Sequence, residues 1–272
     1  MKRHLLIAGH GFLGHSLAEA FTQAGWLVTK TNRSGRDQAQ CCDLSDPSAV
    51  HHLASAITPD VVIQCASTGG GGADAYRDVY LTSARNLHAA FLDARHVFVS
   101  STSVYAQVDH SSVTEESEAE PTTETGKILR LAEEEVLSKG GVVARLSGLY
   151  GEGRCHFLRQ FLAGESRMDG KGDRVLNFIH RKDAASALLL LAETEQGGIY
   201  NITATPSSQR ECFQQLATHY QRPMPETSDP AVQPQRRKRG NSSKAVSNQK
   251  IKSLGWQPEY EDFLSLALAC AG

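Results

Sequence analysis

The stretch Leu5-Leu6-Ile7-Ala8-Gly9-His10-Gly11-Phe12-Leu13-Gly14 decides the fold. Its first four residues are apolar and read as a buried strand. The residues that follow, to about Ala24, read as a helix. Gly9, Gly11 and Gly14 thus occupy a strand-to-helix turn with Gly-x-Gly-x-x-Gly spacing. Without Cβ atoms such a turn lets the backbone approach a pyrophosphate, and the N–H groups at the helix start face the anion. A dinucleotide is the expected cofactor, held by Gly9, His10, Gly11, Phe12, Leu13 and Gly14. His10 has two readings, a neighbour of the pyrophosphate or an exposed loop histidine.

Strand-like segments at 4–8, 26–31, 61–66, 97–101 and 142–146 alternate with helix-like segments at about 12–24, 47–56, 74–93, 126–138 and 183–194. Alternation with short turns predicts a parallel sheet covered on both faces, a Rossmann-type doubly wound α/β fold. From about Ser207 the pattern changes. A helix near 209–220 leads into the polar, proline-rich stretch Arg222 to Asn241, with the basic run Arg236-Arg237-Lys238-Arg239, and two short helices follow near 247–254 and 260–269. This tail reads as a cap over the carboxyl ends of the strands, where open α/β sheets bind ligands. The expected division is a dinucleotide-binding domain over 1–153 and about 175–205, with a small substrate lobe over about 154–174 and 206–272.

The 272 residues, 40% hydrophobic and 21% charged with a net charge of −2, fit a globular protein with no bulk attraction to nucleic acid or membranes. The apolar run Ala184 to Ala192 is too short to span a bilayer, and the short run after Lys2 and Arg3 is not a secretory signal. The six cysteines show no Cys-x-x-Cys spacing and read as reduced packing residues of a cytoplasmic protein. No metal site is expected.

After the second strand come Asn32, Arg33 and Ser34, with no acid between Trp26 and Arg36 to accept from a ribose 2′-OH. A cation beside a small hydroxyl suits a 2′-phosphate, which favours NADP over NAD.

Several later segments occur in the order of one known family. They are Cys42-Asp43-Leu44-Ser45-Asp46, Pro59 to Ser67, Val99-Ser100-Ser101-Thr102-Ser103-Val104-Tyr105, Arg145 to Gly153, Asn177 to Ala185, Tyr200-Asn201-Ile202 and Leu254 to Pro258. With them the chain resembles the extended short-chain dehydrogenase/reductases, the NAD(P)-dependent epimerase/dehydratase group. The resemblance implies that Asp43 and Leu44 bracket the adenine. It puts Cys65, Ala66 and Ser67 at the cofactor, and Ser101 where a hydroxyl bonds the substrate oxygen. It also implies a nucleotide-linked or otherwise anionic small-molecule substrate, met by the basic run, and a homodimer through the helices near 74–93 and 126–138.

The chain departs from that family at the catalytic pair. The family uses Tyr-x-x-x-Lys on the helix after the Ser strand, and here the landmarks place Thr125 and Leu129 at those positions. A threonine hydroxyl does not titrate near neutral pH, and general acid–base catalysis contributes about 10²–10⁴ in rate. The chain resembles an atypical subgroup with this gap, in which Ser101, Tyr105 and Thr125 are the remaining candidates for catalysis. Two functions follow. One is an oxidoreductase or epimerase acting on a sugar-nucleotide-like or other small polar substrate. The other is a catalytically inactive NADP-binding sensor or regulatory protein.

Overall fold

The structure, a computed structural model, describes residues 2–228 and 242–269. Its centre is a seven-stranded sheet of β1 (His4–Ala8), β2 (Leu27–Asn32), β3 (Gln40–Cys41), β4 (Val61–Gln64), β5 (Arg95–Ser101), β6 (Val142–Leu146) and β7 (Gly198–Ile202), in the order β3-β2-β1-β4-β5-β6-β7. Every neighbouring pair is parallel; Leu5, for instance, lies beside Val28 on one side and Val61 on the other. The order reverses at β1, and the crevice between the ends of β1 and β4 is where such sheets hold ligands.

Alternate residues of each strand point to opposite faces, so both faces need apolar cover. On one face Leu5, Ile7, Val61, Ile63 and Val97 pack with α1 (Phe12–Gln23) and α6 (Arg181–Glu193). On the other, Leu6 and Val62 meet α2 (Pro47–Ala56) and Leu87 of α3 (73–90), while Phe98 and Val143 meet α4 (Glu124–Leu137). This is the expected doubly wound arrangement. The helix α3 is not uniform as its sequence predicts. It runs from Ala73–Tyr76 through a π-helical stretch, Arg77–Thr82, into Ser83–Ala90. A π stretch disturbs the regular hydrogen-bond ladder, and Gln64 at the end of β4 donates to the Val79 and Tyr80 carbonyls, both at 3.1 Å.

Past the sheet, α5 (His156–Leu162), α7 (Gln209–Tyr220) and α9 (Phe263–Ala269) share a separate core of Leu158, Phe161, Cys212, Phe213, Leu216 and Phe263. Here the Phe157 and Phe213 rings stack at 4.6 Å. A capping box between Ser208 and Glu211 starts α7 at the predicted place. Among the described residues between α7 and α9, the one helix is the short α8 (Gln249–Lys252). The basic run 236–239 lies outside the described residues. Asp183 sits in the first turn of α6 and accepts hydrogen bonds from the Glu259 and Tyr260 N–H groups, at 2.8 and 3.0 Å. It therefore ties the tail to the sheet domain; the N-cap role falls to His180.

Cys41, Cys42, Cys65 and Cys212 are free thiols, as expected, whereas Cys155 is disulfide-bonded. Among the described residues no helix is long and apolar enough to cross a membrane.

Gly9 shows how closely the sheet fits at the reversal point. Its φ is +112°, and a Cβ there would lie 2.3 Å from the Ala66 nitrogen. Gly9→Ala must both strain the backbone and push β1 from β4. It is expected to lower stability by about 2–4 kcal/mol, read from urea unfolding midpoints.

Candidate functional site

The three glycines do three different things. Gly9 allows the end of β1 to touch β4, and Cys65 Sγ donates to the Gly9 carbonyl at 3.2 Å. Gly11 faces open space, with nothing within 4 Å of where its Cβ would be. Gly14 lets α1 lie against the turn; a Cβ there would be 3.1 Å from the Gly9 oxygen. The N–H groups of Gly9 and His10 are already used, donating to the Thr31 carbonyl at 3.2 and 2.6 Å. No side chain caps the start of α1. The helix N-terminus at Phe12 and Leu13 is thus left for an anion, with the partial positive charge of the helix behind it.

Cations flank the same spot. The guanidinium carbons of Arg154 and Arg181 each lie 5.2 Å from the Phe12 ring centre. Arg181 also pairs with Glu152 at 2.8 Å. Neither arginine had drawn attention in the sequence, because residues about 140 and 170 positions away meet Phe12 only through the fold.

His10 is buried, 5% exposed, so the exposed-loop reading of this residue does not hold. Burial, with His15 and Lys30 nearby, lowers its pKa to about 4, so the ring is neutral near pH 7.

The loop after β2 is folded on Asn32. Its Oδ1 accepts from the Ser34 N–H at 3.1 Å and its Nδ2 donates to the Arg36 carbonyl at 3.0 Å. Arg33 is exposed, and its positive charge is among the influences that hold the Asp43 carboxyl low. Asp43 accepts from the Ser45 N–H and hydroxyl, at 2.9 and 2.7 Å, which keeps its carboxyl below the usual range. Asp46 caps α2 through the Ser48 N–H at 2.8 Å. Leu44 is buried against α2 and α3. Ala66 abuts Gly9 and Ser67 is exposed just beyond.

The catalytic candidates part company. Ser101 ends β5 half-buried and accepts from the Ser103 N–H at 3.2 Å, which leaves its own proton to donate. Thr125 is half-buried in the first turn of α4, which Thr123 caps, and Leu129 is buried. Tyr105 is 1% exposed, and its hydroxyl donates to Asn201 Oδ1 at 2.9 Å. Burial holds this phenol above the ordinary tyrosine value.

Tyr105 belongs to a buried polar cluster around Glu133 of α4. Glu133 Oε1 accepts from Ser100 Oγ at 2.5 Å and Arg145 Nε at 3.0 Å. Its Oε2 accepts from Arg145 Nη2 at 2.7 Å and from Arg130. The Arg145 guanidinium lies over the Tyr105 ring at 4.8 Å. Ser100 adjoins Ser101, and Glu133 is on the helix that carries Thr125, so the cluster sets how those two hydroxyls stand to each other. Lys244 is buried beside it, and its ammonium donates to the Tyr105 carbonyl at 2.8 Å.

Glu133→Ala leaves the Arg145 charge buried without its partner. A loss of about 3–5 kcal/mol in stability is expected, measured by chemical denaturation. For Lys244, burial depresses the pKa from 10.5 to about 8. Its destabilising effect is therefore full below pH 8 and fades as the pH rises toward 10.5, because only the unfolded chain is protonated in that window. Lys244→Met is accordingly expected to be more stable than the unmodified protein at pH 7, with the difference shrinking by pH 10 in parallel unfolding curves.

The pattern of the NAD dependent epimerase/dehydratase family matches residues 5–203. Protein YeeZ of Escherichia coli K12 is 30% identical over 237 residues, 78% of this chain and 81% of that protein. Methionine adenosyltransferase 2 subunit beta of Rattus norvegicus is 29% identical over 161 residues, 56% of this chain and 48% of that one. A candidate NAD-dependent epimerase/dehydratase from Methylobacillus flagellatus superposes with a TM-score of 0.80 at 26% identity, covering 100% of this chain and 98% of the other. UDP-glucose 4-epimerase of Thermotoga maritima, solved with UDP-glucose, has the same fold, with a TM-score of 0.79 at 19% identity over 98% of both chains. With the glycine turn, the strand order and a match across most of its length, the chain belongs to the NAD dependent epimerase/dehydratase family.

Proposed function

We propose that this protein binds NAD(P) across the β1–β4 crevice and acts on a sugar-nucleotide-like or other small polar substrate, with turnover weaker than its family's usual mechanism. The observation that carries the cofactor reading is the cradle at Gly11. An open, Cβ-free turn meets an uncapped helix start, with Arg154 and Arg181 close by. These groups suit a pyrophosphate. Arg33, an exposed cation beside Asn32 and Ser34, supports NADP as the preferred form.

When bound, the nicotinamide supplies hydride donation or acceptance. The chain's part is to place a carbonyl and handle a proton. Ser101 keeps a free O–H at the end of β5, suited to polarising a carbonyl oxygen. Tyr105 has spent its hydroxyl on Asn201 inside a closed cluster, so the proton falls to Thr125, Ser101 or water. A hydroxyl of ordinary pKa is a poor acid at pH 7, and weak turnover follows.

The second reading is a cofactor-binding protein that works through a partner. Leu129 in place of a lysine favours it, as does the likeness to a subunit of methionine adenosyltransferase. Purified protein titrated with NADPH, followed by a screen of NADPH oxidation and epimerisation against ketones and UDP-sugars, separates the two. Slow turnover that Ser101→Ala abolishes is the expected result, and tight binding without turnover on any substrate selects the second reading. Arg33→Ala is expected to weaken NADPH about tenfold and leave NADH unchanged, the worth of one charge-assisted contact. Equal affinities for the two in the unmodified protein would end the NADP preference.

A further inference from the structure

The glycine turn gathers three side chains that the sequence keeps apart. His10 lies between Gly9 and Gly11, His15 is in the first turn of α1, and Asp37 is in the loop between β2 and β3. One ligand atom from each lies within 4.8 Å of the other two. His15 Nε2 and Asp37 Oδ2 are 3.7 Å apart, and the two imidazole rings lie 4.2 Å apart.

Two further observations point to a ligand. The His10 ring is buried, 5% exposed, yet its Nδ1 has no hydrogen-bond partner among the described residues. A buried nitrogen left bare in a packed turn calls for a partner. His15 Nδ1 lies 2.8 Å from the Gly11 carbonyl. A carbonyl only accepts, so Nδ1 carries a proton toward Gly11, and Nε2 is turned to Asp37. Metal-binding histidines are held in this way, their second nitrogen donating to a carbonyl. The loop that brings Asp37 is itself fastened, because Lys30 Nζ donates to the Asp37 main-chain oxygen at 3.0 Å.

We propose that His10, His15 and Asp37 bind a divalent transition-metal ion of the zinc class at the edge of the glycine turn. Two imidazoles and one carboxylate suit such an ion, and three protein ligands leave a position for water or an anion. Metal–ligand bonds of about 2.0–2.1 Å require ligand atoms about 3.3 Å apart. His10 is fixed by burial, whereas His15 and Asp37 have side chains 49% and 59% exposed and can close the remaining gap. The ordinary reading of the last two residues is a surface ion pair, and the experiment distinguishes it.

The test titrates Zn²⁺ alone into metal-free, tag-free protein by calorimetry, without dinucleotide, so its result is independent of the proposed function. One ion per chain is expected. His15→Ala and Asp37→Asn, both at exposed side chains, should each weaken binding by at least about tenfold, the loss that even outer-shell changes produce. His52→Ala, at an exposed histidine of α2, should leave it unchanged. Circular dichroism checks that each variant is folded. The proposal is overturned by the absence of a one-to-one event, by full binding in both site variants, or by an equal loss in His52→Ala.

Discussion

One buried carboxylate ties strands β5 and β6 to helix α4. Glu133 is fully buried, and burying a charge is repaid only when its oxygens are well bonded. Here they receive Ser100, both faces of the Arg145 fork and Arg130, which joins β5, β6 and α4 at a single point. From Arg145 the contacts pass to the Tyr105 ring, from its hydroxyl to Asn201, and from the Asn201 N–H to Glu115 on the edge of β7. Each member contacts the next, so the cluster is held at several points, while Arg145 Nη1 and Asn201 Nδ2 have no partner among the described residues. It gives Ser101 and the first turn of α4 a fixed frame.

The cofactor side follows a different rule. At the reversal point the backbone itself is the binding surface, and side chains are removed to let a ligand in. Gly9 brings β1 onto β4, Gly11 stays open and Gly14 lets α1 close over the turn. The start of α1 beside this turn carries no side-chain cap, which leaves its N–H groups free to meet an anion. The tail is attached at defined points, Asp183 to Glu259 and Tyr260, and Asn177 Nδ2 to the Lys244 carbonyl at 2.8 Å.

Much of the fold was legible because it rests on local chemistry. The apolar runs at β1, β4 and β6 are buried on both faces, so hydrophobicity alone marks them. Caps such as Asp46 before Pro47 and Ser208 before Glu211 are short-range and visible in the chain. The π stretch in α3 was not visible, because it depends on Gln64 reaching the Val79 and Tyr80 carbonyls from another element. The bonds that Asp183 accepts were not visible either, since its partners lie 76 and 77 residues away. Tyr105 was a candidate acid as long as its burial and its bond to Asn201 were unknown.

The sequence by itself determined the doubly wound sheet, the glycine turn and the family. All of these follow from residue type at near neighbours. Only the tertiary structure decided that His10 is buried, that Glu133 gathers two arginines, and that Arg154 and Arg181 flank Phe12. It alone brought Asp37 beside His15. These are contacts between elements far apart in the chain. Burial and partner choice, which set what a titratable group can do, exist only once those elements are packed.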